Sequence, residues 1–96
     1  MRPSIALDMP RAEVRCIIRA NRASNARVFG SVLRGEDTEK SDLDILVEPD
    51  PDMTLLNVGT IRHKLSKLLG VKVDVLTPSA LPERFRAIVV AEAQPV

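Results

Sequence analysis

Two short segments of this chain alternate apolar residues with acidic or polar ones, and that alternation restricts the fold more than any other feature. In residues 42–47, Leu43, Ile45 and Val47 share one face of a strand while Asp42 and Asp44 take the other, because strand side chains change sides at every residue. In residues 71–76, Val71, Val73 and Val75 form the face to be buried, leaving Lys72, Asp74 and Leu76 opposite. Strands of this kind need one covered face and leave one polar, so the chain reads as an α/β or α+β fold, a β-sheet layered against helices. If the two strands lie side by side, three carboxylates converge on the uncovered face.

The remaining elements follow from periodicity and punctuation. Residues 10–22 read as a helix with Asp8 as N-cap, burying Val14, Ile17, Ile18 and Asn21. Met9, Ala12, Cys16 and Ala20 form a weaker opposite stripe that reads as small-residue filling, with Cys16 a packed thiol. Residues 26–29 read as a short strand entering Gly30-Ser31, after which Val32-Leu33-Arg34 begins one or two helical turns ended by Gly35. A polar loop, residues 36–41, leads into the first acidic strand. Residues 54–69 form the clearest helix, with Leu55, Val58, Ile61, Leu65, Leu68 and Leu69 in its stripe and Gly70 at its end. Pro78 stops the second acidic strand, and a last helix over residues 82–93 carries Phe85, Ile88 and Val89 on one side.

Composition narrows the function. A chain of 96 residues reads as one domain, residues 1–96, with no room for an ordinary lid or substrate-binding domain. Phe29 and Phe85 are the sole aromatic residues, so stacking of exposed bases on Tyr or Trp is excluded. Fourteen Lys and Arg against 13 Asp and Glu give a net charge of +1, too little for a basic field, and no long nucleic acid is expected as partner. The single cysteine allows no internal disulfide and no zinc cluster. The start lacks a secretory signal and no apolar run could cross a membrane, so a cytoplasmic location is expected.

Carboxylates that converge are chemistry for a hard divalent cation. Magnesium takes oxygen ligands and commonly shares one or two carboxylates with substrate phosphates. Asp42, Asp44 and Asp74 would bind such ions, with Asp74 near the attacking nucleophile. Gly30 lets a backbone approach phosphates closely, and the following amides with the Ser31 hydroxyl could hold their oxygens. Arg34 and Lys40 are further candidates for phosphate charge. Taken singly these signals are weak: an Asp-x-Asp on an amphipathic strand is usually its solvated face, and Gly-Ser is usually a turn. Their order carries the reading: strand, Gly-Ser, loop, acidic strand, helix, acidic strand. His63 lies opposite the leucine stripe and reads as a solvated side chain.

Gly30-Ser31, ten intervening residues and Asp42-Leu43-Asp44, followed by Asp74 in Lys72-Val73-Asp74-Val75-Leu76, closely resemble the minimal nucleotidyltransferases, the small branch of the DNA polymerase beta superfamily. The likeness extends over most of the chain after Arg27. It implies a mixed sheet with helices on one side and transfer of a nucleoside monophosphate from a triphosphate, with two Mg2+ ions as cofactors and ATP as donor. Many members of the branch are antitoxins of HEPN-type ribonuclease toxins, some of which they adenylylate on a tyrosine. The resemblance therefore implies a HEPN-type toxin as partner in a hetero-oligomer and a tyrosine hydroxyl as acceptor. Two other functions stay open: an antitoxin that only masks its partner by binding, and a nucleotidyltransferase that acts on a small molecule.

Overall fold

A four-stranded mixed sheet in the order β3-β2-β1-β4 occupies the centre of the molecule, in a computed structural model that describes residues 2–96. Its strands are β1 (Ala23–Phe29), β2 (Leu43–Pro49), β3 (Val73–Leu76) and β4 (Gln94–Pro95). β1 runs antiparallel to both β2 and β4, and β2 runs parallel to β3. A parallel pair needs a crossover, and helix α3 (Leu55–Leu69) supplies it. Helices α1 (Pro3–Asp8) and α2 (Arg11–Ala20) precede the sheet, and a 3-10 turn (Pro78–Ala80) leads into α4 (Glu83–Glu92).

The core lies on one sheet face, as the alternation requires. Leu43, Ile45 and Val47 of β2 and Val73 and Val75 of β3 meet Val14 and Ile18 of α2 and Ile61, Leu65 and Leu69 of α3. These aliphatic side chains supply the folding drive, at about 1.5 to 3 kcal/mol for each one fully buried. Helix α3 is delimited locally. Thr54 and Asn57 form a reciprocal capping box at its start, and Gly70 closes it at φ +70°. Among the described residues, no helix is long and apolar enough to cross a membrane.

Several expectations need correction. Asp8 is not an N-cap: it ends α1, a helix the pattern did not reveal, and its Oδ1 accepts from Arg11 Nη2 at 3.4 Å while Pro10 takes the cap position of α2. Residues 32–34 form no helix. Arg34 N donates to Gly30 O at 3.2 Å and Glu36 N to Ser31 O at 2.9 Å, and the chain then leaves the coil at Gly35. Cys16 is exposed, because its stripe faces away from the sheet. Leu55 is 89% exposed and Leu68 37%: the first turn of α3, which carries Leu55, borders a shallow groove with Met53, Val75 and Leu76 and does not reach the core. Helix α4 buries no side chain, leaving Phe85 and Ile88 exposed, since it packs on the 3-10 turn and not on the sheet's helical face. The final strand, β4, was not expected; it adds two residues beside Arg27 and Val28.

A contact between distant residues holds the loop ahead of β2. The covered Asp37 carboxylate accepts from Ser4 N at 3.0 Å and from Arg2 Nη2 at 3.4 Å, which caps the short α1 from outside its own sequence. The Ser4 amide favours the charged form and holds the Asp37 carboxyl below its ordinary value, against the opposing effect of burial. A carboxyl lowered on folding stabilises fully above its unfolded pKa, about 4, and ceases to do so as pH falls through its folded value. Denaturant midpoints measured against pH should therefore decline more gently below about pH 4 in Asp37→Asn than in the parent. At the core, Leu65→Ala should cost about 2 to 5 kcal/mol in urea unfolding, since the site is enclosed by sheet and α2.

Candidate active site

The face opposite the core is where the acidic residues lie. Phe29 pairs with Asp44 across the antiparallel ladder, and Asp44 pairs with Asp74 across the parallel one. Directly paired residues point to the same side, so Phe29, Asp44 and Asp74 form one row over three strands. The next row on that face contains Arg27, Leu46 and Leu76. Arg27 is buried there, its guanidinium donating to Glu48 Oε1 at 2.5 Å and to Asn25 O at 3.2 Å. Asn25 sits at the bulge in β1, with φ +50°. The bulge inserts one extra residue and shifts the register before the site row begins.

Asp42 immediately precedes β2 and lies outside its ladder, where Leu43 N donates to Lys72 O at 2.9 Å. Its Oδ2 is 3.7 Å from Lys72 Nζ, an exposed pair worth less than about 1 kcal/mol. Lys72 was legible as a neighbour of Asp74 on the same face, yet its approach to Asp42 depends on the pairing of β2 with β3. Gly30 follows Phe29 directly at φ +79°, and the Asp44 carboxylate lies against it. Ser31 is the next residue, in the turn that follows, and its carbonyl accepts from Glu36 N.

The two candidate phosphate contacts differ. Arg34 Nε donates to Glu36 Oε2 at 3.2 Å on the exposed loop, and Arg34 is near enough to Asp44 to oppose its rise in pKa. Lys40 is exposed, and its backbone amide donates to Thr38 Oγ1 at 3.2 Å. The Asp44 carboxyl titrates above its ordinary value because of burial first, then the negative charges of Asp74 and Asp42. The positive charge of Arg34 offsets only part of that rise.

The donor set fits magnesium in kind. It is all oxygen, it is like-charged, and it faces an open side where phosphates and water can complete a shell. Among the described residues, no three His, Cys, Asp or Glu side chains are gathered closely enough to form a protein cage. Magnesium shared with a nucleotide requires no such cage, since it keeps waters and takes only one or two carboxylates.

A carboxyl whose pKa is raised on folding contributes most stability below its unfolded value and loses it as pH rises through the folded one. Asp44→Asn should therefore raise the thermal midpoint above about pH 5 in metal-free buffer. Asp74→Asn should lower the titration midpoint of Asp44 followed by carboxyl carbon NMR, and Arg34→Gln should raise it.

Comparison with known proteins agrees with this layout. The Nucleotidyltransferase domain family matches residues 13–96. Protein adenylyltransferase MntA of Thermococcus cleftensis is 40% identical over 65 residues, 68% of this chain and 66% of that protein. A Methanocaldococcus jannaschii protein named "Putative protein adenylyltransferase MJ0435" is 38% identical over 68 residues, 71% of this chain and 73% of that one. Against three further proteins of that archaeon with the same style of name, the match spans 55% to 59% of their length. A solved structure described as a "putative minimal nucleotidyltransferase" superposes with TM-score 0.87 at 40% identity, covering 97% of this chain and 95% of that one. A toxin-antitoxin structure with AMP-PNP shares the fold at TM-score 0.75 and 20% identity, over 91% of this chain and 72% of that one. The strand order, the row of acidic residues beside a Gly-Ser turn and these likenesses together establish that the chain belongs to the nucleotidyltransferase domain family, in its minimal form.

Proposed function

We propose that this protein transfers AMP from ATP to a hydroxyl group of a partner protein, a tyrosine of a HEPN-type toxin, and thereby acts as the antitoxin. The observation that carries the reading is the in-register pair Asp44 and Asp74, set in front of the Gly30-Ser31 turn. The names of the MntA and adenylyltransferase relatives support the choice of a protein acceptor, and AMP-PNP in a toxin-antitoxin of the same fold supports an adenine nucleotide.

In this reading Asp42, Asp44 and Asp74 hold two magnesium ions and Gly30 with Ser31 receives the β- and γ-phosphates. Bound magnesium supplies positive charge that offsets the triphosphate and lowers the pKa of an acceptor hydroxyl. The Gly30 backbone has no side chain to obstruct a phosphate, and the Ser31 hydroxyl can donate to one. The Asp74 carboxylate stands on the open side of the row, suited to the hydroxyl that approaches there. The acceptor oxygen attacks the α-phosphorus, the bond from that phosphorus to the β-phosphate bridge oxygen breaks, and pyrophosphate leaves; the hydroxyl proton is lost to water or a carboxylate. Arg34 can add charge to the departing phosphates once released from Glu36. Lys40 is a weaker candidate for the same role, being exposed at the loop tip.

The direct test is incubation with α-labelled ATP, magnesium and the product of the neighbouring reading frame. Label should appear on that protein at a tyrosine, and Asp42→Ala and Asp44→Ala should each reduce the rate by more than about 100-fold. Transfer at parental rate by both variants would remove these residues from the chemistry. Protection of cells by an inactive Asp42→Ala protein would favour masking, and turnover with no protein acceptor would favour a small-molecule substrate.

A further inference from the structure

We propose that Gly30 is a positioning residue for Asp44, a role separate from any contact of its backbone with phosphate; the consequence for metal binding rests on the function proposed above. A side-chain carbon added at Gly30 would fall closer than 3.0 Å to Asp44 Oδ2 and 3.3 Å from its Cγ. Real carbon atoms do not approach so closely, so the space left by the absent side chain is where the Asp44 carboxylate resides. The register explains the approach. Phe29 is the ladder partner of Asp44, and Gly30 is the next residue, so the turn carries the backbone over that carboxylate.

Gly30 differs in this from the other left-handed glycines. Gly35 and Gly70 have φ +70°, close to the +79° of Gly30, but the space beside each is open. A substitution at Gly35 therefore meets backbone strain alone, whereas one at Gly30 meets strain and a collision. The Asp44 carboxylate would have to turn away from residue 30 to relieve the collision, with Phe29 on one flank of its row and the like-charged Asp74 on the other. Displacement would carry it away from the position it shares with Asp74.

Two measurements test this on the intact chain, one without any metal. In a double-mutant cycle, Gly30→Ala should lower the unfolding midpoint more than Gly35→Ala does. In an Asp44→Ala background the excess should vanish, since the remaining Cβ of residue 44 is 3.6 Å away, an ordinary contact. Equal losses in both backgrounds would overturn the packing claim. Manganese alone, titrated by electron paramagnetic resonance with no nucleotide present, should bind about tenfold or more weakly to Gly30→Ala and Gly30→Asn than to the parent or Gly35→Ala. Asn tolerates left-handed backbone better than Ala, so it keeps the test usable if Gly30→Ala folds poorly. Parental manganese affinity in both Gly30 variants, with only the KM for ATP raised, would leave Gly30 as a phosphate contact and overturn the positioning role. Absence of manganese binding by the parent would overturn the proposed metal site and the positioning of Asp44 for it, while the double-mutant cycle would still decide the packing.

Discussion

The close approach of the Asp44 carboxylate to Gly30, within a row that also contains Asp74, is the constraint around which this small protein is arranged. Like charges on neighbouring strands oppose folding, and burial of Asp44 adds to the cost. Only a strand pair held firmly from the other side can keep them together. The opposite face of β2 and β3 provides that hold through Leu43, Ile45, Val47, Val73 and Val75, which pack against α2 and α3. One set of residues opposes the fold locally and the alternate set offsets it.

The chain commits nearly all of its stabilising material to one side of the sheet. Helices α1, α2 and α3 contribute side chains to the aliphatic core, whereas α4 contributes none. The other side of the sheet is thereby left less covered by helices, in keeping with a site that depends on positioning and charge more than on an enclosed pocket. Its second row is not wholly polar. Leu46 is fully buried there beside Arg27, near the 3-10 turn that follows β3.

The readings that succeeded were those in which local chemistry coincided with tertiary environment. The alternation of Leu43, Ile45 and Val47 in β2 and of Val73 and Val75 in β3, the stripe through Ile61, Leu65 and Leu69 and the glycine stop at Gly70 all fall where the residues alone put them, although β3 begins at Val73 and leaves Val71 in a bend before it. Helix α1 escaped notice because its cap comes from Asp37, more than thirty residues away, and no local signal exists for such a partner. Strand β4 escaped because two residues ending in Pro95 carry almost no strand signal; an edge position tolerates the missing amide. The apolar side of α4 and the exposed Leu55 show the converse. A helical period states that a face could be buried, but not that anything lies opposite it. Residues 32–34 had helical character and formed only a coil turn, because Gly35 follows too soon for a helix to propagate.

The amino-acid order by itself determined which residues share a strand face, where the best helix starts and stops, and that Asp42, Asp44 and Asp74 belong to the polar side, because these follow from backbone periods of two and 3.6 and from local caps. It also carried the family likeness, in the spacing of Gly30-Ser31 from Asp42 and Asp44. Strand adjacency and register were decided only by the tertiary structure: that Asp44 is paired with Asp74 and flanked by Phe29, that Lys72 comes near Asp42, and that Gly30 lies over a carboxylate. Those relations join residues far apart in the chain, and their energies arise from burial, repulsion and steric fit that exist only once the sheet has closed.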